Sequence, residues 1–149
     1  MKAVIQRVVH ASVSVEGRIT AQIDAGALVL LGVSKEDEDR DALYMVEKIQ
    51  TLRMFSDPQG KMNLSIMDIG GGILVVSQFT LLGDTRKGRR PGFDQAADPD
   101  RARALYEQVV EGLKGRGIPT QEGVFGAYMQ VILQNDGPVT FVLDSRGGS

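Results

Sequence analysis

Ile73-Leu74-Val75-Val76 runs without a polar break straight into Ser77-Gln78-Phe79-Thr80-Leu81. A continuous apolar run of this length reads as a strand buried on both faces, so other elements must cover it from two sides. The polar segment that follows is then carried to the end of a rigid central strand, where a fold can present a site. A second run, Asn135-Asp136-Gly137-Pro138-Val139-Thr140, has the same setting, because it follows strand signals over residues 123–134 and precedes more over residues 140–144. Both runs put small hydroxyl or amide residues and a stiff turn beside apolar strand, and together they read as one active site.

The rest of the chain supplies the cover. Residues 2–23 read as two strands with a turn at Glu16-Gly17, and residues 27–34, with Gly32 inside, as a third, mostly buried one. Over residues 34–53 the period changes: Ala42, Leu43, Val46, Ile49 and Leu52 recur at steps of three and four, after acidic residues that suit a helix N-terminus. Residues 62–69 read as a short strand before Gly70-Gly71-Gly72. Asp98-Pro99 offers an N-cap and a first-turn proline, and Ala102, Leu105, Val109 and Leu113 form the stripe of a second helix ending before Gly115. The order βββαβ(β)αββ does not alternate strictly, which favours an α+β fold: a curled, mostly antiparallel or mixed sheet, barrel-like, with two main helices on one side. At 149 residues the chain is expected to be a single domain over residues 1–149, with a loose tail after about residue 144.

Inventory removes several chemistries. With no cysteine, thiolate metal sites, disulfides and a cysteine nucleophile are excluded, and His10 as the sole histidine excludes multi-histidine metal ligation within one chain. No metal or cofactor is expected. No apolar run approaches the ~20 residues needed to span a bilayer, and the first residues lack a secretory signal pattern, so a cytoplasmic protein with no membrane partner is expected. A net charge of −2 gives no overall attraction to nucleic acid. A local one exists at Arg86-Lys87-Gly88-Arg89-Arg90, just after the first motif, where cations can meet phosphates; a solvated charged loop is the plain alternative.

Within the first motif, Ser77 and Thr80 are candidate nucleophiles, while Gln78 and the amides of Phe79 and Thr80 are candidate donors to an oxyanion. Ordinary strand-end hydroxyls bonded to backbone are the competing reading. No carboxylate spacing marks a triad with His10, so side-chain nucleophilic catalysis is disfavoured. Gly137-Pro138 suits a tight reversal with outward-pointing carbonyls, either as a plain turn between two strands or as a cis pair whose carbonyls point the same way. Phe79, Phe93 and Phe125 are candidate base-stacking rings that serve equally well as core.

The two motifs, with Phe125-Gly126-Ala127-Tyr128-Met129 between them and residues 1–15 as the opening strand region, closely resemble D-aminoacyl-tRNA deacylases over essentially the whole chain. The resemblance implies a homodimeric editing hydrolase that cleaves the ester of D-aminoacyl-tRNA, accepts glycyl-tRNA and rejects L-aminoacyl-tRNA. It assigns catalysis to Ser77, Gln78, Phe79 and Thr80, and makes Gly137-Pro138 a cis pair that enters the partner's site as a chiral gate. Phe125, Ala127 and Met129 join the gate as substrate-binding residues, and Arg86, Lys87, Arg89 and Arg90 become the tRNA-binding set. A related proofreader of L-aminoacyl-tRNA and a non-catalytic RNA-binding module are the alternative functions.

Overall fold

A computed structural model describes residues 1–147. Strand β1 (Lys2–Val15) organises the sheet, because its length lets it take three partners. Along one edge it pairs antiparallel with β3 (Gly26–Gly32) through its first half and with β2 (Arg18–Ile23) through its second. Its other edge is taken by β8 (Gln130–Asp144), also antiparallel. β3 continues the sheet in parallel to β6 (Gly72–Ser77), and β6 in parallel to β7 (Thr120–Glu122). The sheet is therefore mixed, and it curls into a nearly closed barrel; the β3–β6 ladder starts where the Gly72 N–H donates to the Ala25 carbonyl at 3.3 Å.

α1 (Asp39–Thr51) and α3 (Pro99–Gly115) supply the cover expected for a doubly buried strand. Ala42, Met45, Val46 and Ile49 of α1 and Leu105, Tyr106, Val109, Val110 and Leu113 of α3 join Ile73 and Val75 in one core. Leu74 and Val76 point the other way, into a second cluster with Val8, Ala11, Val13 and Leu28 inside the curl of the sheet. β6 is thus packed on both faces. Gly112 sits where the helices meet: a Cβ there would lie 2.7 Å from a methyl of Val46.

Capping explains where the elements differ from the periodicity. α1 begins at Asp39, later than residue 34, because the Asp37 carboxylate accepts from the Ser34 N–H at 2.7 Å and Asp41 accepts from the Glu38 N–H at 2.8 Å. Both bonds hold residues 34–38 in a turn. The strand expected over residues 62–69 stops early: β5 (Met62–Leu64) pairs with β4 (Phe55–Ser56), and Ser65 then caps a short helix α2 (Ile66–Ile69) by accepting from the Asp68 N–H at 3.2 Å. α3 follows its caps, with Asp98 accepting from the Arg101 N–H at 3.0 Å.

The largest departure lies at the C-terminal end. Residues 123–129 form a turn-rich loop instead of strand, with Gly126 at φ +79°, and β7 precedes it. No reversal occurs at Gly137-Pro138; β8 runs through it, since β1 is long enough to pair with both halves. Four residues, Asp136 to Val139, stand opposite the single Arg7, so the motif is an outward bulge and not a turn between strands. Of the tail expected to be loose, Ser145 donates from its N–H to the Met1 carbonyl at 2.9 Å, and Arg146 pairs with Asp41 at 3.0 Å. Residues 148–149 lie outside the described residues.

Candidate active site

β6 ends at Ser77, and the chain then turns into a single 3-10 turn, Phe79–Leu82. Gln78 links them: its N–H donates to the Leu31 carbonyl at 2.8 Å, which fixes the turn to the end of β3. The first N–H groups of a helical turn have no acceptor within it. Those of Phe79 and Thr80 donate to no backbone carbonyl outside the turn among the described residues. The Thr80 hydroxyl donates to the Gln78 side-chain carbonyl, which leaves the Gln78 amide nitrogen as the free end of that side chain.

This turn forms one wall of a cleft of about 660 Å³. Ser77, Gln78, Phe79 and Thr80 face Phe125, Ala127 and Met129 across it, so the structure brings these seven sequence-derived residues together. Val33, Val76, Ala97, Pro99, Ala102 and Val131 complete a mainly apolar lining. None of these reads as a site residue in the sequence, where Val76, Pro99 and Ala102 mark only a strand, a helix start and a helix stripe, because a pocket wall has no pattern apart from the elements it borrows. The loop over residues 123–129 supplies the opposite wall. Phe125 is held from behind by the buried Tyr106, 5.6 Å between ring centroids, and covered by the Arg103 guanidinium at 4.9 Å. The Tyr106 hydroxyl donates to the Val75 carbonyl at 3.0 Å, and burial, with Glu122 and Glu107 nearby, holds its ionisation well above the ordinary phenol range. It is a fixed donor and not an acid at neutral pH.

Tyr128 is the one titratable side chain in this lining, and it is almost fully exposed, at 88%. Among the described residues no carboxylate, imidazole, lysine or arginine lines the cleft. His10 stands exposed on β1 opposite Gln134 and is not in the wall. The polar groups on offer are hydroxyls, one side-chain amide and main-chain N–H groups, a set that can stabilise a developing oxyanion but cannot shuttle a proton at neutral pH.

Gly137 and Pro138 lie elsewhere. They are exposed on the β8 bulge and do not line the cleft of their own chain. The peptide bond between them is cis, and Gly137 has φ +139°, a conformation that disfavours any side chain. A Cβ at Gly137 would lie 2.7 Å from a Val139 methyl and 2.8 Å from the Val139 nitrogen. Two side chains hold the bulge. Arg7 donates from Nε to the Asp136 carbonyl and from a terminal nitrogen to the Met54 carbonyl, each at 3.0 Å, and lies 3.5 Å from the Asp136 carboxylate. Asn135 donates from its amide to the carbonyls of Arg7 at 2.8 Å and Val139 at 3.0 Å, tying both ends of the bulge to β1. Sequence reasoning assigned neither side chain a role: Arg7 sits 129 residues from Asp136, and nothing local marks the pairing.

The basic loop is also outside the cleft lining. Arg86 is engaged by Asp84, which accepts from its Nε at 3.0 Å and a terminal nitrogen at 2.7 Å. Those hydrogen bonds, side-chain first and backbone second, pull the Asp84 carboxyl down to about 2. Lys87, Arg89 and Arg90 are exposed and make no ion pair among the described residues.

The curled mixed sheet, with an amide-rich cleft at the end of β6, defines an α+β domain. Residues 4–144 match the family described as D-Tyr-tRNA(Tyr) deacylase, and the chain belongs to that family of hydrolases. It is 53% identical over 146 residues to a D-aminoacyl-tRNA deacylase of Fervidobacterium nodosum, covering 98% of each chain. It is 56% identical over 146 residues, again 98% of each, to one of Koribacter versatilis. Among solved structures, a c-Myc DNA Unwinding Element Binding Protein superimposes with a TM-score of 0.92 at 46% identity, over 97% of this chain and 98% of that one. A probable eukaryotic D-amino acid tRNA deacylase superimposes with a TM-score of 0.81 over 95% and 97%; at 20% identity this is a likeness of fold.

Proposed function

We propose that the chain hydrolyses the ester joining a D-amino acid to the 3′ end of tRNA, accepts glycyl-tRNA and rejects the L forms. The observation that carries this reading is a cleft with amide donors and no acid–base side chain. An aminoacyl ester is a substrate that tolerates such a site. Its neighbouring ribose hydroxyl can assist an attacking water, so the enzyme must supply orientation and oxyanion stabilisation. The N–H groups of Phe79 and Thr80 take the oxyanion, Gln78 orients the ester, and Thr80 orients Gln78. Ser77 lines the floor, and Phe125, Ala127 and Met129 hold the aminoacyl end.

Chirality is read by Gly137-Pro138 of a second copy of the chain, inserted into the cleft. Main-chain carbonyls there accept the substrate's α-ammonium and occupy the space an L side chain needs, so discrimination is a penalty on the wrong substrate. Glycine passes because it has nothing to clash. A thousandfold rejection corresponds to ~4 kcal/mol at about 1.4 kcal/mol per decade, which overlap with rigid backbone can impose. Three features support a homodimer: the motif stands outside its own cleft, β8 has one edge unpaired along its length, and Val9, Ile132 and Val142 are exposed on β1 and β8. Lys87, Arg89 and Arg90 bind tRNA phosphates, with Arg86 beside them. The place of work is the cytoplasm, where tRNA is charged; among the described residues no helix is long and apolar enough to cross a membrane.

The test is release of amino acid from D-tyrosyl-, glycyl- and L-tyrosyl-tRNA. D-tyrosyl- and glycyl-tRNA should be cleaved and the L form about a thousandfold more slowly. Comparable cleavage of L-tyrosyl-tRNA would sink the gate, and salt-sensitive tRNA binding without cleavage would make the chain a binding module. Mixing a Gly137→Ala protein with a Phe79→Pro protein tests the shared site. With the Phe79→Pro protein in excess, one intact cleft facing one intact motif restores rejection of L-tyrosyl-tRNA in the mixture if the motif crosses between subunits, and does not if it serves its own chain.

A further inference from the structure

The basic loop and the catalytic turn are joined by Phe93. The loop over residues 84–92 is closed at its base by two main-chain bonds, Asp84 N–H to the Gly92 carbonyl at 2.7 Å and Gly92 N–H to the Asp84 carbonyl at 2.9 Å. Inside it, the Asp84 carboxylate accepts from the Arg86 N–H at 3.0 Å as well as from its guanidinium, so the loop is clasped from within. Phe93 follows immediately, and its ring meets the Phe79 ring edge-on, with centroids 5.1 Å apart and planes at 64°. The other end of the loop reaches the same turn: the Gly83 N–H donates to the Thr80 carbonyl at 3.0 Å. Gly83 leaves the room this needs, since a Cβ there would lie 3.0 Å from the Thr80 oxygen and 3.2 Å from the Phe93 ring. Beyond Phe93 the chain returns to the cleft wall, where the Ala97 N–H donates to the Val33 carbonyl at 3.0 Å.

We propose that Phe93 is a positioning residue that makes the tRNA-contacting loop and the oxyanion donors of the Phe79–Leu82 turn one rigid unit, so that phosphate docking sets the alignment of the catalytic amides. This rests on the deacylase reading above. Phe93 acts through Phe79 and touches no reacting atom. Arg86, committed to Asp84, is the clasp of the loop and not one of its phosphate contacts.

The experiment measures kcat and KM of Phe93→Leu, Phe79→Leu and the double variant on D-tyrosyl-tRNA and on D-tyrosyl-adenosine, with thermal melting alongside. Each single variant should lower kcat about tenfold on D-tyrosyl-tRNA, within the hundredfold that an ångström of misplacement can cost, and less on D-tyrosyl-adenosine, which has no phosphates to dock. The double variant should be no worse than the poorer single one, because contacting residues that act as a unit are not additive. Gly83→Ala, which keeps Phe93 but crowds its ring, should lower kcat in the same direction and carries the test if Phe93→Leu does not fold. Full additivity, or wild-type kcat in either Phe93→Leu or Gly83→Ala, would overturn the inference. A wild-type protein that leaves D-tyrosyl-tRNA intact would instead overturn the deacylase reading itself.

Discussion

The catalytic turn after β6 and the Gly137-Pro138 bulge of β8 are both polar segments beside apolar strand, yet they are held in opposite ways. The turn is fixed by main chain, through the Gln78 N–H on Leu31, and it faces a cleft in its own chain. The bulge is fixed by side chains, Arg7 and Asn135, and it does not line that cleft. A segment whose N–H groups must remain free for a substrate is best anchored through its neighbours' backbone. A segment that must present its own carbonyls to another molecule needs props from behind. On the proposed reading, rate belongs to the first region and selectivity to the second.

The largest effect that tests this division is on selectivity. Arg7→Ala removes two charge-assisted bonds to the carbonyls of Asp136 and Met54, each of a kind worth about 1.5–3 kcal/mol. A bulge freed by that much should admit L substrates, so the D-to-L ratio of kcat/KM falls about a hundredfold, roughly 3 kcal/mol, while D-tyrosyl-tRNA is still cleaved. Kinetics on both enantiomers check it, and a loss shared equally by D and L substrates breaks the comparison. Next in size is the turn. Thr80→Ala frees the Gln78 side chain without removing a main-chain donor, and should lower kcat about tenfold with the D-to-L ratio unmoved. A fall of several orders of magnitude, or a trapped acyl-enzyme, would make Thr80 a nucleophile.

A third effect concerns stability, at a carboxylate that is in neither the turn nor the bulge. Burial pushes the Asp41 carboxyl up, but bonds from Ser145, the Glu38 backbone and Arg146 outweigh it and hold it below the usual carboxylate range. Its contribution to stability is therefore complete above the unfolded pKa of about 3.9 and is lost as pH falls through the lower folded value. Asp41→Asn should lower the melting temperature by a few degrees at pH 7, equivalent to about 1 kcal/mol, and progressively less toward pH 3. Melting curves across that range check it. Selectivity at pH 7 should stay unchanged, which separates tail anchoring from gating.

The sequence was most informative where chemistry is local. The continuous run at residues 73–76 announced a doubly buried strand, and Asp98-Pro99 announced the start of α3, because burial and capping act over a few residues. The seven cleft residues read from motifs do meet in one cleft. What stayed hidden depends on contacts between distant segments. Nothing near residue 137 says that β1 is long enough to pair across it, so a glycine-proline step that reads as a reversal becomes a bulge within one strand. Arg7 reads as an ordinary strand cation, and only the register that sets it opposite Asp136 to Val139 gives it work. The loop over residues 123–129 reads as strand for a related reason: its apolar residues serve a cleft wall, which has no periodicity of its own.

The smallest expected effect is the strictest test of a site without acid–base side chains. Because no imidazole or carboxylate lines the cleft, the rate on D-tyrosyl-tRNA should rise with hydroxide availability and show no bend near about 6.5, where a free histidine titrates. On the proposed reading a downward bend near about 8 is expected from the substrate, whose α-amine bonds the carbonyls of the bulge only when protonated. His10→Asn should then give a pH–rate profile superimposable on the wild type, with kcat within about twofold, less than 0.5 kcal/mol in barrier. His10 is exposed on β1 opposite Gln134 of β8, the strand that carries the bulge. A bend near the histidine range that vanishes in His10→Asn would mean that the second copy brings an imidazole as well as a gate, and the division between a rate-setting turn and a selectivity-setting bulge would fail.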